Sequence, residues 1–376
     1  MSGEQLPREP SIILELSRRK GAATREAMRN SLVEARLVAA PYVTMARISL
    51  ARLGRDRLAR AGALLLACLA LVAVFADVLA SDLPIACRWH GAVYVMPDVT
   101  HPAALAGVDV SRMQRERAAG DWMLPPLVEH GPTQEGAPSE ALRAPLSSPG
   151  HPLGTDALGR DVFARVVYGA RTALGLGLVA SLALVAIGVI LGALAGFVGG
   201  VVDSLVSRAV ESLTAIPTLV LVLVVGALVP HPTTATLLWT IALTRWTELA
   251  RLVRAEVLRG LGEDYVTAAR ALGVSPLRVL WRHVMPNAIG PVIAMSTIAL
   301  GLFIVTEATL SYLGVGLPPS VVSWGGDINV DQIRLRAGSP ILFYPAGALA
   351  ITVLAFLIMG DVLRDALDPT SRARRP

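Results

Sequence analysis

Three charges set in apolar surroundings offer the most chemistry in this chain: Arg245 and Glu248 within residues 234–253, and Glu307 within residues 289–308. Side chains three apart on a helix are neighbours. Arg245 and Glu248 therefore read as an intramembrane ion pair, with lining of a translocation path as the second reading, and Glu307 is a further path-lining candidate. Bond chemistry has less to work with. Lys20 is the only lysine and is followed by Gly21 and Ala22, so the Gly-Lys-Ser/Thr ending of a phosphate-binding loop is absent. No histidine begins an H-E-x-x-H pattern and no serine sits in G-x-S-x-G. His90, His101, His130, His151, His231 and His283 are too scattered to suggest a metal set. The expectation is a chain with no catalytic residue, no metal and no cofactor of its own.

The elements that hold these charges follow from composition. Of 376 residues, 53% are hydrophobic and 17% charged, which excludes disorder, and the apolar residues come in runs too long for a small soluble core. With only two cysteines, Cys68 inside an apolar run and Cys87 beyond it, a disulfide scaffold is excluded and both read as free thiols. The net charge of +5 is carried almost wholly by arginines near the ends of apolar runs, which points to membrane topology and lipid contact rather than nucleic acid.

Hydropathy predicts six membrane spans: residues 61–80, 172–198, 205–229, 234–253, 289–308 and 343–363. The fourth is marginal alone. Its five Leu and one Ile gain about 0.3–0.6 kcal/mol each on insertion, against about 2.5–3.5 kcal/mol for a central charge, so it needs shielding by other helices. Gly188, Gly192 and Gly196 recur every fourth residue, a small face that lets a second helix approach closely. Residues 81–150, rich in Pro, Gly, Asp and Arg, form an extramembrane insertion with short strands around 92–96. Arg251, Arg254, Arg259, Arg270, Arg278 and Arg282 mark the 251–286 loop as cytoplasmic, while residues 230–233 carry no Arg or Lys; six spans then put both termini on the cytoplasmic side. Residues 1–57 read as a basic tail ending in an amphipathic helix from about residue 35.

The cytoplasmic loop carries its own helix signals. Gly262 or Glu263 starts a helix with Asp264 in its first turn, and Gly273 ends it. Ser275 caps a second helix with Pro276 at its first position, which is expected to stop before Pro286. Ala268, Ala269 and Gly273 present little side chain, with Tyr265 and Leu272 as apolar anchors. From these residues alone, docking into a partner's groove and packing on the protein's own helix ends are equally good readings.

The segment Asp264-Tyr265-Val266-Thr267-Ala268-Ala269-Arg270-Ala271-Leu272-Gly273, followed by Arg282-His283-Val284-Met285-Pro286-Asn287, resembles the cytoplasmic coupling motif of ABC importer permeases, E-A-A-x3-G-x9-I-x-L-P. Ala268, Ala269, Gly273 and Pro286 match; Thr267 stands where Glu is usual, His283 where Ile is and Met285 where Leu is. His151-Pro152-Leu153-Gly154-Thr155-Asp156-Ala157-Leu158-Gly159-Arg160-Asp161 is similar to the opening of the permease core in the oligopeptide, dipeptide and nickel branch. Glu307-Ala308-Thr309-Leu310-Ser311-Tyr312-Leu313-Gly314, Ser323-Trp324-Gly325 and the 360–369 segment resemble that branch's second permease subunit.

The resemblance implies an all-α integral membrane protein with six transmembrane helices, the type I ABC importer permease fold, and an extracytoplasmic insertion after the first span. Its parts would be a tail 1–57, a first helix 58–80, the insertion and interfacial segment 81–171, a five-helix core 172–366 with coupling loop 254–286, and a tail 367–376. It also implies a place in the bacterial inner membrane. The implied partners are a paralogous permease in a heterodimer, two ATPase subunits or domains that hold the ATP and magnesium, and an extracytoplasmic solute-binding protein. Thr267, Ala268, Ala269, Gly273 and Pro286 would couple to the ATPase. The size and non-membrane composition of the insertion suggest part of a lid receiving the binding protein, with a structural spacer as the alternative. A non-transporting scaffold or sensor, and an importer of nickel or another small solute, remain alternatives.

Overall fold

The computed structural model describes residues 56–147, 150–229, 233–335 and 339–367; the basic tail, the 230–232 turn and residues 368–376 lie outside them. Nine helices frame the description. These are α1 (Arg57–Val74), α2 (Val162–Val198), α3 (Gly200–Thr214), α4 (Thr218–Leu228), α5 (Thr234–Leu261), α6 (Asp264–Ala271), α7 (Met285–Tyr312), α8 (Trp324–Leu335) and α9 (Phe343–Leu367). α1 begins where the Asp56 carboxylate accepts from Leu58 N at 2.8 Å, and after Phe75 a short helix, Ala76–Leu79, carries the chain out of the bundle.

Among the described residues, four helical segments are long and apolar enough to cross a membrane: α1, α2, Pro276–Tyr312 and α9. The pair α3 and α4 adds a fifth only as a broken span, because the two meet at 83°. A straight helix over residues 205–229 is thus corrected. Pro217 has no N–H to donate and disfavours helical geometry at Ile216 before it. Asp203, Arg208 and Glu211 consequently lie on a separate arm, α3, and α4 has only 11 residues, about 16 Å of rise against a hydrocarbon core of about 30 Å. The remaining predicted span, α5, has 28 residues and ample length, and its charges are what set it apart from the others.

The small-residue face does what its spacing predicts. α2 and α5 are the most extensively packed pair, and a Cβ built at Gly188 would lie 2.9 Å from Leu249 Cβ, one at Gly192 2.5 Å from Ala250 O, and one at Gly196 2.9 Å from Arg254 O. Leu184, Trp246, Leu249, Val253 and Val257 fill the core along this seam. α7 packs on α9, and α1 lies against α9 and α2. α2 starts at Val162, ten residues before the predicted span at 172. Asp161 caps it, accepting from Ala164 N at 2.7 Å, and Arg165 and Arg171, early in the helix, are paired with the carboxylates of Asp327 and Asp77.

The insertion between α1 and α2 contains a three-stranded antiparallel sheet, β1 (Ala86–Trp89), β2 (Ala92–Val95) and β3 (Trp122–Leu124), in the order β2-β1-β3. The β1–β2 turn has His90 at φ 48° and Gly91 at φ 85°, the left-handed pair that a two-residue hairpin requires. Cys87, Trp89, Leu105 and Met113 form its small core; Cys87 is a free thiol there, and Cys68 is a free, exposed thiol on α1.

Candidate functional site

The connection between α5 and α7 is built to present one face and bury the other. Glu263 is the N-cap of α6 and Asp264 lies in its first turn, on the side the helix dipole favours. At its other end Gly273 takes φ 79°, its N–H donating to Arg270 O at 3.0 Å, while Val274 N–H donates to Ala269 O at 3.1 Å. Those two bonds satisfy carbonyls the helix leaves open, and they need a residue at Gly273 that tolerates a left-handed backbone.

Val266 and Ala269 are buried, and Val266 packs in one cluster with Val253, Val257, Val279, Leu280 and Val284. Thr267, Ala268 and Gly273 face outward, joined by Tyr265, Leu277, Trp281 and the 85%-exposed Leu272. Of the five residues in the sequence motif, then, Ala269 anchors α6 to its own protein rather than contributing to an outer face. Successive residues on a helix diverge by about 100°, so Ala268 and Ala269 cannot share a side.

The loop is also shorter than 254–286. α5 continues to Leu261, and the helix starting at Pro276 does not stop before Pro286. It passes through a π-helical turn, Leu280–Val284, directly into α7, with Pro286 at the first turn. The wider turn absorbs the N–H that Pro286 lacks. Ser275 is the N-cap residue but makes no side-chain capping bond. Asn287 Nδ2 donates to Tyr265 Oη at 2.7 Å and to His283 O at 2.9 Å, fixing α6 to the base of α7.

Within the bundle the three charges do not converge. Arg245 Nη1 stands 3.8 Å from Glu248 Oε1 and Nη2 donates to Thr306 Oγ1 at 3.4 Å, while its buried Nε has no hydrogen-bond partner. Glu307, next in sequence to Thr306, points elsewhere: its Oε1 accepts from Ser311 Oγ at 2.7 Å and Ser323 Oγ at 2.8 Å. Glu307 thereby pins the chain that connects α7 to α8. Glu248 is partly exposed and Arg245 mostly shielded, an arrangement of polar groups beside one another at the α5–α7 contact.

Two polar junctions escaped the sequence reading. Arg165 Nε donates to Asp327 Oδ1 at 2.8 Å, its Nη2 reaches the same carboxylate, and Nη1 donates to Pro132 O at 2.8 Å. Both side chains are buried, so one guanidinium ties the insertion, α2 and α8 together. The partners lie 162 positions apart, beyond any local pattern. Their only signal is the 151–161 motif that leads into α2. There Asp156 Oδ1 accepts from Leu158 N and Arg160 N, and His151 Nδ1 lies 2.8 Å from Asp161 Oδ2. Burial pushes the Asp161 carboxyl up and the His130 imidazole, which lies against the His151 ring, down.

At the second junction Arg171 pairs with Asp77 through Nη1 at 2.7 Å and Nη2 at 2.8 Å, and Tyr168 Oη lies 2.8 Å from both Asp77 Oδ1 and Asp98 Oδ2. A phenol carries one proton. It can serve one of the two carboxylates at a time; Arg171 is the counter-ion of Asp77, and burial pushes the Asp98 carboxyl up. Raised in the folded state, Asp98 contributes stability that is complete at low pH and lost as pH rises through its folded pKa. The insertion should therefore loosen from α2 on that rise, read as faster proteolysis within 81–150, and Asp98→Asn should flatten the dependence. A wild-type profile unchanged by Asp98→Asn would show that Asp98 is not the group responsible.

This architecture has known relatives. The family described as binding-protein-dependent transport system inner membrane component matches residues 188–373, from the second half of α2 onward. The oligopeptide transport system permease protein OppC of Bacillus subtilis is 39% identical over 222 residues, 59% of this chain and 72% of that protein. The dipeptide transport system permease protein DppC of the same organism is 38% identical over 223 residues, 59% of this chain and 69% of that protein. The glutathione transport system permease protein GsiD of Pectobacterium atrosepticum is 35% identical over 222 residues, 59% of this chain and 73% of that protein. With spans, a helical connection between α5 and α7 and a match at that level, the chain belongs to the family of inner membrane components of binding-protein-dependent transport systems.

Proposed function

We propose that this chain is one of two permease subunits in an ATP-driven importer of peptides, forming half of the translocation path for substrate handed over by an extracytoplasmic solute-binding protein. A paralogous permease completes the path, and two ATPase subunits or domains, holding the ATP and magnesium, dock on the cytoplasmic side. The carrying observation is the connection between α5 and α7, where Val266 and Ala269 fasten α6 to the bundle and Tyr265, Thr267, Ala268, Leu272, Gly273 and Trp281 are left facing out. Apolar side chains beside small ones suit a groove on a partner. The chain itself has no catalytic role in this reading. Both termini are cytoplasmic, the insertion is extracytoplasmic, and peptides are the substrate class by likeness to the relatives' names.

ATP binding would draw the ATPases together and shift α6 with the helix that starts at Pro276, biasing the permease pair between inward- and outward-open states. Such a bias requires different contacts of α6 in the two states. Mild-detergent copurification from native membranes, with partners identified by mass spectrometry, tests the assembly: a second permease and a P-loop ATPase are expected, and recovery of the chain alone would overturn it. Gly273→Asp is expected to insert normally yet lose most of the ATPase, because it adds a charge and a side chain to an outward backbone at φ 79°. Undiminished ATPase recovery with this variant would remove Gly273 from the docking surface.

A further inference from the structure

The sheet in the insertion has two unlike faces. On one, Cys87 stands in register with Tyr94 and Met123 and packs inward. On the other, register aligns Val93, Arg88 and Trp122 in one row and Val95, Ala86 and Leu124 in the next. Val93, Val95, Trp122 and Leu124 are 60%, 64%, 43% and 53% exposed. The Arg88 side chain, exposed at the centre, makes no hydrogen bond or ion pair among the described residues. An antiparallel sheet with one face in water ordinarily turns polar side chains to it. This one turns a contiguous apolar face outward around a single cation, which marks an interaction surface.

Its attachment says what covers it. β3 runs through Pro125 and Pro126 to the exposed Leu127, whose N–H donates to Val78 O at 3.1 Å, and Val128 N–H donates to Leu79 O at 3.0 Å. Ile85 N–H donates to Leu124 O at 2.8 Å. Val78 and Leu79 close the first span, whose Leu71, Val74 and Phe75 are exposed apolar side chains. Exposed apolar surface therefore continues, through hydrogen-bonded neighbours, from the outer side of the α1 span to the sheet. The six steps along the chain from Ala80 to Ala86 reach at most about 20 Å, so the sheet stays near the headgroup layer. Tryptophan is favoured in that layer, and an arginine among apolar side chains finds its counter-ion in lipid phosphate.

We propose that this sheet face rests on the outer leaflet, with Arg88 on a phospholipid phosphate and Val93, Val95, Trp122 and Leu124 among the headgroups. The inference rests on the extracytoplasmic placement of the insertion.

The test uses the full chain in vesicles of phosphatidylethanolamine and phosphatidylglycerol, with or without lipids brominated near the top of their acyl chains. The difference in emission between wild type and Trp122→Phe isolates Trp122. Its emission is expected to fall by half or more with brominated lipid and to resist aqueous iodide; Arg88→Glu should return it to iodide. Quenching of Trp122 by iodide and not by bromolipid in the wild type would overturn the proposal. So would iodide access that closes only when the solute-binding protein is added, since the face would then dock protein. Copurification with the ATPase and permease does not depend on this readout, so failure here is distinguishable from failure of the importer reading.

Discussion

Replacing Arg165 by alanine should destabilise the protein by about 3–5 kcal/mol, the usual cost of removing one partner from a buried ion pair. The reason is the charge left behind. Asp327 is buried and Arg165 is its counter-ion, and Asp327 Oδ2 already has no hydrogen-bond partner. The same substitution frees the Pro132 carbonyl, to which Arg165 Nη1 donates. Arg165→Ala should lower the thermal unfolding midpoint in detergent markedly, and the double variant Arg165→Ala with Asp327→Ala should recover part of it, because no lone charge stays buried. Equal midpoints for the two variants would show that the pair contributes through packing alone. Arg165→Lys should fall between wild type and alanine, since an ammonium cannot hold the fork to Asp327 and the Pro132 carbonyl together.

Gly192→Leu is the second substitution with a large expected effect. Even the Cβ would stand 2.5 Å from Ala250 O, 2.9 Å from Val253 Cβ and 3.0 Å from Ala250 Cα. Two of those neighbours are backbone, which cannot step aside, so α2 and α5 must separate along a seam that also holds Gly188 and Gly196. Overpacking of well-filled cores costs about 1–3 kcal/mol and more where backbone must move. Loss of the monodisperse elution peak in detergent is the expected readout, and Gly175→Leu, at a position with open space around it, is the control. A Gly192→Leu protein as stable as the control would mean that the α2–α5 seam is not a close contact.

The glycine seam was legible because its period is local: three small residues four apart specify a helix face whatever they meet. α6 was legible for the same reason, from Glu263 and Asp264 at its start to Gly273 at its end. Three other features needed information the local pattern lacks. Arg165 and Asp327 meet only because α2, α8 and the insertion converge, and nothing within either neighbourhood announces that. Pro217 was visible, but the apolar run over 205–229 outweighed it, since hydropathy sums composition and is blind to one missing N–H. Pro286 misled in the opposite direction: a proline ends a regular α-helix, yet the π turn at Leu280–Val284 carries the chain past it. Arg245 and Glu248 were expected side by side, and they are, while the Thr306 contact and the separate environment of Glu307 depended on which faces α5 and α7 turn to each other.

The π turn has a mechanical consequence. Because Pro276–Tyr312 is helical without interruption, it is a beam of 37 residues, about 55 Å long at 1.5 Å per residue. One end carries the exposed Leu277 and Trp281, and the other ends beside Glu307 and the two serines that grip it. Its backbone stays helical through the π turn, and Pro291, which has no N–H to donate to residue 287, is a point inside α7 where a bend is favoured. Without such a bend, a tilt of about 5° imposed at Trp281 sweeps the far end through about 5 Å, several times the slack in a hydrogen bond. A force applied at the Trp281 end would thus reach the other as torque on Glu307 and its two serines, reduced by any bend that Pro291 takes up.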